Sequence, residues 1–590
     1  MSRRNLFLRI ITVSAFIVYF LYFYLLNSAH ILYQEQIQLF RFNSGYFFEF
    51  LSRPGGLSEY AGAFLTQFFV FPAAGAAIIT FLAIAVFALT GYIFFKNRFQ
   101  GIIWSFLPVL LMAALHSSHL YMPGHSIGLI ITLGYFAVYI SLINNRIKYA
   151  FLLVGWLLLY IVTGGYALLA ILLCFVHDVV FKWNRSLLIT LALYPVVALL
   201  VPYLTSQSIF YMKGGSEWTI LIPFFLGFPY NIFLILLLCY FPLILVIIRV
   251  PGVYSANNHI TPGLKTFIPG VLFMACLIFG LYKYSYDKKT EVLLGIDHCV
   301  QQSDWAGVLE LSSAAPVTNR MIMNFTNLAL FKSGHLADQM FNYPQAGSEG
   351  LWLDWSQDWI IAFFGGEIYY NLAYNSEAYR WAFETMVARG PNPRSLKRLA
   401  LTSLVNNEIS LAEKYLKILE QTIFYRKWAR HYLTYIDFPE RLAEDKEISE
   451  KRRFEIHTDF ISADNFGVRL PYLLSEHYDN RMAFEYFMAA LLLDKNLEDF
   501  TANIYRIKDF GYKSIPVHWE EALLAYMSYL KKDIVPKGYT ISLATRKRLS
   551  DYANTIYSFG DNTDKAAREM AGKFGKTYWY YLKFINNQSN

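Results

Sequence analysis

The sequence predicts an all-α protein: a polytopic transmembrane helix bundle of about nine spans over residues 1–285, followed by a soluble α-helical domain over residues 286–590. Three observations carry this reading. The 590-residue chain is 56% hydrophobic and 18% aromatic but only 16% charged, where a soluble domain is about 25% charged; a plain soluble enzyme is excluded. The charge is also unevenly placed. Residues 1–286 hold 15 Lys/Arg and 5 Asp/Glu, and residues 287–590 hold 36 and 38, so the net +8 divides into +10 in front and −2 behind. Finally, the front half offers nine apolar stretches near the ~20 residues that cross ~30 Å of hydrocarbon, while the rear half shows helical periodicity and few strand signals.

The predicted spans are 6–27, 71–95, 101–117, 126–143, 149–164, 166–182, 186–204, 226–249 and 266–285. The first follows Ser-Arg-Arg and resembles a signal peptide in outline, but no small-residue cleavage site follows it, so it reads as a retained span. Connections on one side carry Lys96, Arg98, Arg146, Lys148, Lys182, Arg185, Arg249 and Lys265, together with Arg3, Arg4 and Arg9 at the N-terminus; the other side has Arg41, Arg53 and Lys213, with Lys283 at the end of the last span. By the positive-inside rule the N-terminus is cytoplasmic and residues 287–590 lie outside. In a bacterial inner membrane that outside is the periplasm. Residues 219–249 are long for one crossing and short for two. Cys174, Cys239, Cys276 and Cys299 form neither a zinc spacing nor a disulfide framework.

The first outer connection, residues 28–70, is amphipathic. Ile37, Phe40, Phe47, Phe48 and Leu51 fall at helical spacing; after the Ser52–Gly56 break, Leu57, Tyr60, Ala61, Phe64, Leu65 and Phe68 mark a second stripe, opposite Glu59, Gly62 and Thr66. Two helices lying on the outer membrane surface are expected. In the rear half, Ala378 and Ala412 are 34 residues apart, each in a stretch where a small residue suits a helix crossing, and Ala483 follows Ala412 by 71. These stretches, NSEAYRWAF, ISLAEKYLKIL and NRMAFEYFMAALLLD, resemble degenerate tetratricopeptide-like α-solenoids over about 200 residues. Such an array implies protein binding rather than catalysis.

Two further resemblances bear on function. The order of first span, long outer loop of amphipathic helices with acidic residues, further spans and an outer soluble domain resembles the GT-C integral membrane glycosyltransferases. That implies transfer of a sugar from a polyprenyl-phosphate carrier to an acceptor at the outer face. The loop residues LYQEQIQLF and SRPGGLSEYAGAFLTQFF, with Pro72 after them, also look like a family of uncharacterised bacterial envelope membrane proteins, which implies no activity.

Only five carboxylates precede Asp287, and a transferase needs one to deprotonate an acceptor or hold a divalent cation. Glu35, just beyond the first span, and Glu59, on the polar face of the second loop helix, are the candidate catalytic residues. Glu49, between Phe48 and Phe50, reads as a solvated edge. Asp178, beside Lys182 at i+4, reads as a local ion pair. Arg41, Arg53 and Lys213 are the cations that would hold a carrier phosphate. His116 and His119, spaced i, i+3 in ALHSSHLYMPGHSIG, are candidate metal or phosphate ligands, although no defined metal motif is present. Trp352, Trp355 and Trp359 in EGLWLDWSQDWIIAFFGGE would share a helix face, able to stack on sugar or to pack inward. The basic excess belongs to topology, so no nucleic-acid partner is expected. The expected partners are the lipid bilayer, a polyprenyl-phosphate-linked sugar and a protein on the helical repeats. The alternative to a transferase is a non-catalytic envelope scaffold.

Overall fold

The computed structural model describes residues 3–99, 102–181, 187–210, 218–249, 264–315, 319–354, 359–456, 466–559 and 563–585. Every regular element among them is helical, and the chain divides into two compact units, Met1–Glu291 and Val292–Asn590.

The first unit contains α1 (Arg3–Leu26), α2 (Ser28–Gln36), α3 (Ser44–Leu51), α4 (Gly56–Thr66), α5 (Pro72–Lys96), α6 (Phe106–His116), α7 (Pro123–Ser141), α8 (Asn145–Thr163), α9 (Tyr166–Phe181), α10 (Leu187–Ser208), α11 (Tyr230–Arg249) and α12 (Leu264–Ser285), and it ends within the first turn of α13 (Lys288–Gln301). Five stretches are long and apolar enough to cross a membrane: Arg9–Leu26, Pro72–Lys96, Pro123–Ser141, Arg146–Thr163 and Tyr230–Arg249. Ile103–His116 and Tyr166–Phe181 are apolar but shorter, reaching roughly 21–24 Å at 1.5 Å per residue. The described residues therefore carry five clear candidate spans rather than nine. Within 219–249 there is one long helix, because Leu221 and Gly227 take positive φ (70° and 75°) and keep the preceding chain irregular.

The outer loop departs from the two-helix expectation. Residues 37–43 are not helical, and Asn43 starts α3 by accepting the Tyr46 N–H at 2.6 Å. In α4 the small and polar face is packed inside the protein and not open to water: Ser58, Gly62, Ala63 and Thr66 are buried, while Phe64 of the apolar stripe is exposed. Small residues inside allow backbones to approach, and apolar side chains outside suit lipid. A Cβ on Gly62 would stand 2.4 Å from the Gly124 nitrogen and 2.5 Å from its Cα, so α4 and α7 cross backbone to backbone. The Pro54-Gly55-Gly56 turn has an equally structural role. Gly55 (φ 81°) donates to Ile161 O at 2.9 Å, and Gly165 donates to Ile220 O at 2.8 Å, so three stretches of backbone meet where side chains would not fit.

The second unit continues with α14 (Trp305–Ser313), α15 (Arg320–Lys332), α16 (Leu336–Gln339), α17 (Trp359–Asn371), α18 (Asn375–Arg389), α19 (Pro393–Val405), α20 (Ile409–Glu420), α21 (Arg426–Asp437), α22 (Lys446–Arg453), α23 (Phe466–Glu476), α24 (Arg481–Leu493), α25 (Leu497–Asn503), α26 (Val517–Leu530), α27 (Leu543–Tyr557), α28 (Thr563–Phe574) and α29 (Tyr578–Phe584). From α17 to α21 each helix packs on the next. Ala378, Ala412 and Ala483 are fully buried, and Gly365 and Gly366 admit the ring of Trp381 between α17 and α18. Contacts distant in sequence add to these neighbours: Asp338 Oδ1 accepts the Val517 N–H at 2.7 Å, and the Tyr581 hydroxyl accepts the Gly347 N–H at 3.1 Å.

Two neighbouring ion pairs of this unit are largely buried. Arg394 grips both oxygens of Asp297 at 2.8 and 2.9 Å, and Arg398 holds Glu367 at 2.5 Å while lying 3.5 Å from the centre of the Tyr370 ring. Burial pushes Asp297 up despite Arg394; it would raise Glu367 too, but Arg398 and Arg394 hold that carboxyl below the usual range. A cavity of ≈ 20 Å³ between these groups has room for about one water.

Nearby, burial and the charge of Lys332 push the Lys451 ammonium down to about 8, from 10.5; its Nζ donates to Asn371 O at 3.0 Å. Between those two values the unfolded chain binds more protons at this site, so its contribution makes stability rise with pH. Below pH 8 the fold carries the full cost of charging the lysine, about 3 kcal/mol at 1.36 kcal/mol per unit. Lys451→Met is accordingly expected to raise the melting temperature at pH 7, with the gain over wild type shrinking toward pH 10. Parallel melting curves that give a pH-independent difference would contradict this assignment.

Candidate functional site

One group of buried polar side chains of the first unit gathers where α2, the end of α6 and the residues leading into α7 meet. α2 is held at its start from a distance: the Glu291 carboxylate accepts the Ala29 N–H at 2.7 Å, the His30 N–H at 3.3 Å and a short bond from His30 Nδ1. A carboxylate at a helix N-terminus satisfies exposed N–H groups and complements the helix dipole. No spacing in the sequence announces this contact, because the partners are 261 residues apart. Gln34, one turn after His30, donates from Nε2 to Tyr121 O at 3.1 Å and Ser118 O at 3.4 Å, pinning α2 to the 117–122 turn.

Glu35 is on α2 and is 3% exposed. Its Oε2 accepts from Gln36 Nε2 at 2.6 Å. His119 lies against His30 and Tyr33, with ring centres 5.9 and 5.5 Å apart. α6 stops at His116, so His116 and His119 do not share the helix face their i, i+3 spacing suggested. His116 is instead buried, with Nε2 2.8 Å from Ser126 Oγ and Nδ1 without a hydrogen-bond partner. His125 donates from Nδ1 to Leu221 O at 2.9 Å. The hydroxyl of Tyr19 is also buried without a hydrogen-bond partner.

The loop cations are engaged by loop carboxylates. Arg41 Nη2 lies 2.9 Å from Glu49 Oε2, with its guanidinium 4.8 Å from the centre of the Tyr46 ring. Arg53 Nη2 lies 2.5 Å from Glu59 Oε2. Burial pushes the Glu59 carboxyl above its usual range against the opposing pull of Arg53. Glu49 is 61% exposed, as a solvated edge should be, and it is also the counter-ion of Arg41. Arg41 and Arg53 pair within the loop, on separate carboxylates, rather than meeting on one anion site. Lys213 and Trp355 lie outside the described residues.

One further expectation changes. Trp352 is 3% exposed and residues 351–354 are not helical, so Trp352 does not share a helix face with Trp359 of α17. Asp178 is buried and accepts hydroxyl hydrogens from Tyr139 at 2.6 Å and Tyr194 at 3.0 Å; Lys182, its expected partner, lies outside the described residues. Among the described residues no group of three or more His, Cys, Asp or Glu could hold a metal ion.

Among the described residues these features define a helical protein with apolar helices long enough to cross a membrane, a polar cluster packed at helix ends, and a separate helical unit. The chain belongs to a family of unknown function, DUF6057, whose model matches residues 2–585. No curated protein and no solved structure matches it.

Proposed function

We propose that the chain is a multi-pass inner-membrane scaffold: about nine spans, a cytoplasmic N-terminus, and a tetratricopeptide-like helical unit that holds a protein partner on the periplasmic side. The observation that carries this reading is an apolar stripe on α18 that the described residues leave exposed. Phe383 and Val387, one turn apart, are 38% and 65% exposed, and Tyr379 stacks on Phe383 at 6.0 Å. Such a stripe, on a run of helices stacked neighbour to neighbour, suits an apolar helix or segment of another protein. The pairing of Arg41 with Glu49 and of Arg53 with Glu59 leaves the loop charges serving one another, which argues against a carrier-phosphate clamp. A photo-crosslinker placed at residue 387 of the full chain in its native membrane is expected to give a discrete adduct that Phe383→Asp removes. The absence of any adduct there, with the chain normally inserted, would contradict the reading.

A transferase remains the second reading, and Glu35 favours it. This carboxylate is buried on α2, the short loop helix that Gln34 pins to the polar turn at 117–122. On this reading Glu35→Gln abolishes sugar transfer from a polyprenyl-phosphate donor while the chain still inserts normally. Unchanged transfer in that variant would remove Glu35 as the base.

A further inference from the structure

We infer that the tip of the second unit formed by residues 526–537 docks on a phospholipid surface bearing anionic headgroups. Helix α26 ends at Leu530, and Lys531 enters the left-handed region (φ 54°) while its N–H still bonds Met527 O at 2.8 Å. The chain thus turns sharply away and leaves the last helical turn uncovered. Tyr529 is 82% exposed and Leu530 is 43% exposed, with Tyr526 stacked 6.4 Å from Tyr529. Three exposed cations follow, Lys531, Lys532 and Lys537. The one acid of the stretch, Asp533, accepts the Val535 N–H at 3.1 Å and so shapes the turn.

The returning chain is tied down. The Tyr539 hydroxyl donates to Tyr512 O at 2.8 Å, and Ser542 gives its N–H and hydroxyl to the Glu520 carboxylate, both at 2.8 Å. The tip is therefore a braced projection rather than a loose tail.

An aromatic ring and a leucine beside lysines form a composition suited to the bilayer boundary: the apolar groups sink to the acyl edge, and the ammonium groups stay in water among anionic headgroups. A protein pocket would have to supply acids for three closely spaced lysines or leave buried charge unpaired. A weak surface is enough, because one chain carries both the tip and the apolar helices that anchor it, and tethering of this kind gives effective concentrations in the millimolar range. The inference rests on those helices lying in a membrane, and it is independent of whether the α18 stripe holds a partner.

The test is hydrogen exchange read by mass spectrometry on the full chain in nanodiscs of phosphatidylcholine alone, or with one third phosphatidylglycerol. Backbone amides of 528–541 are expected to exchange about fivefold or more slowly in the anionic discs, and the difference should disappear in 0.5 M salt, where the Debye length falls to roughly 4 Å. The K531E/K532E/K537E variant should lose it at low salt, with exchange in residues 518–524 unchanged as the check that α26 is intact. Equal exchange in the two lipids would overturn the proposal. Protection that is equally strong in both and insensitive to salt would also overturn it, assigning the tip to a protein surface.

Discussion

Gly62→Ala is expected to destabilise the membrane unit by about 3 kcal/mol or more, at the upper end of overpacking costs because the new methyl meets backbone rather than a movable side chain. The methyl would sit 2.4 Å from the Gly124 nitrogen, and neither α4 nor α7 can yield without parting along the crossing. Gly124→Ala is the internal comparison. Its Cβ would meet Glu59 Cα and Ser58 O at 3.2 Å, a tight fit that a few tenths of an ångström relieves, so its cost should be clearly smaller. The measurement is the melting temperature and monodisperse fraction of the detergent-solubilised chain. Wild-type stability in Gly62→Ala, or a larger loss in Gly124→Ala, would refute the backbone crossing.

The second large effect is expected at Arg394 in the helical unit. Its guanidinium binds both oxygens of Asp297, and the two side chains are 8% and 6% exposed. Arg394→Met leaves that carboxylate buried without its counter-ion, a change that costs about 3–5 kcal/mol. Replacing both partners, in Arg394→Met with Asp297→Leu, removes the stranded charge, and most of the loss should return. Denaturant unfolding of wild type, the single variant and the double variant measures this. A double variant no more stable than the single one would show that the pair acts through something other than its charge.

Much of the helical architecture could be read from composition and apolar spacing, because a membrane helix must be apolar along its length and five stretches satisfy that requirement without ambiguity. The outer loop was harder to read, and the reason is physical. Its apolar stripes point to the membrane surface and its small or polar residues to water, but small residues also let helices approach closely, so Ser58, Gly62 and Thr66 pack inside the protein while Phe64 stays exposed. The break at Asn43 could have been found from its capping chemistry, since an asparagine before Ser44-Gly45 starts a helix well.

The candidate site was legible only as a list of residue types. His116, His119 and Glu35 do lie on the α2–α6–α7 junction or the turn within it, but the partner of His30 is Glu291, and no sequence period connects residues so far apart. The pairing of Arg41 with Glu49 and of Arg53 with Glu59 was equally hidden, although each pair is close in sequence, because residues 37–43 and the glycine turn fold the loop back on itself. Trp352 looked available for stacking because it was read as lying on the helix of Trp359, seven residues on, whereas residues 351–354 are not helical.

Both functional readings need the second unit on the outer side of the membrane, so the most direct test is the location of its first residues. Reporter fusions after Lys265 and after Lys289 bracket the last helix of the membrane unit. The account expects the first to report the cytoplasm and the second the periplasm. If the fusion after Lys289 reports the cytoplasm, the helical unit is on the wrong side to hold a periplasmic partner or guide an acceptor at the outer face, and the account fails.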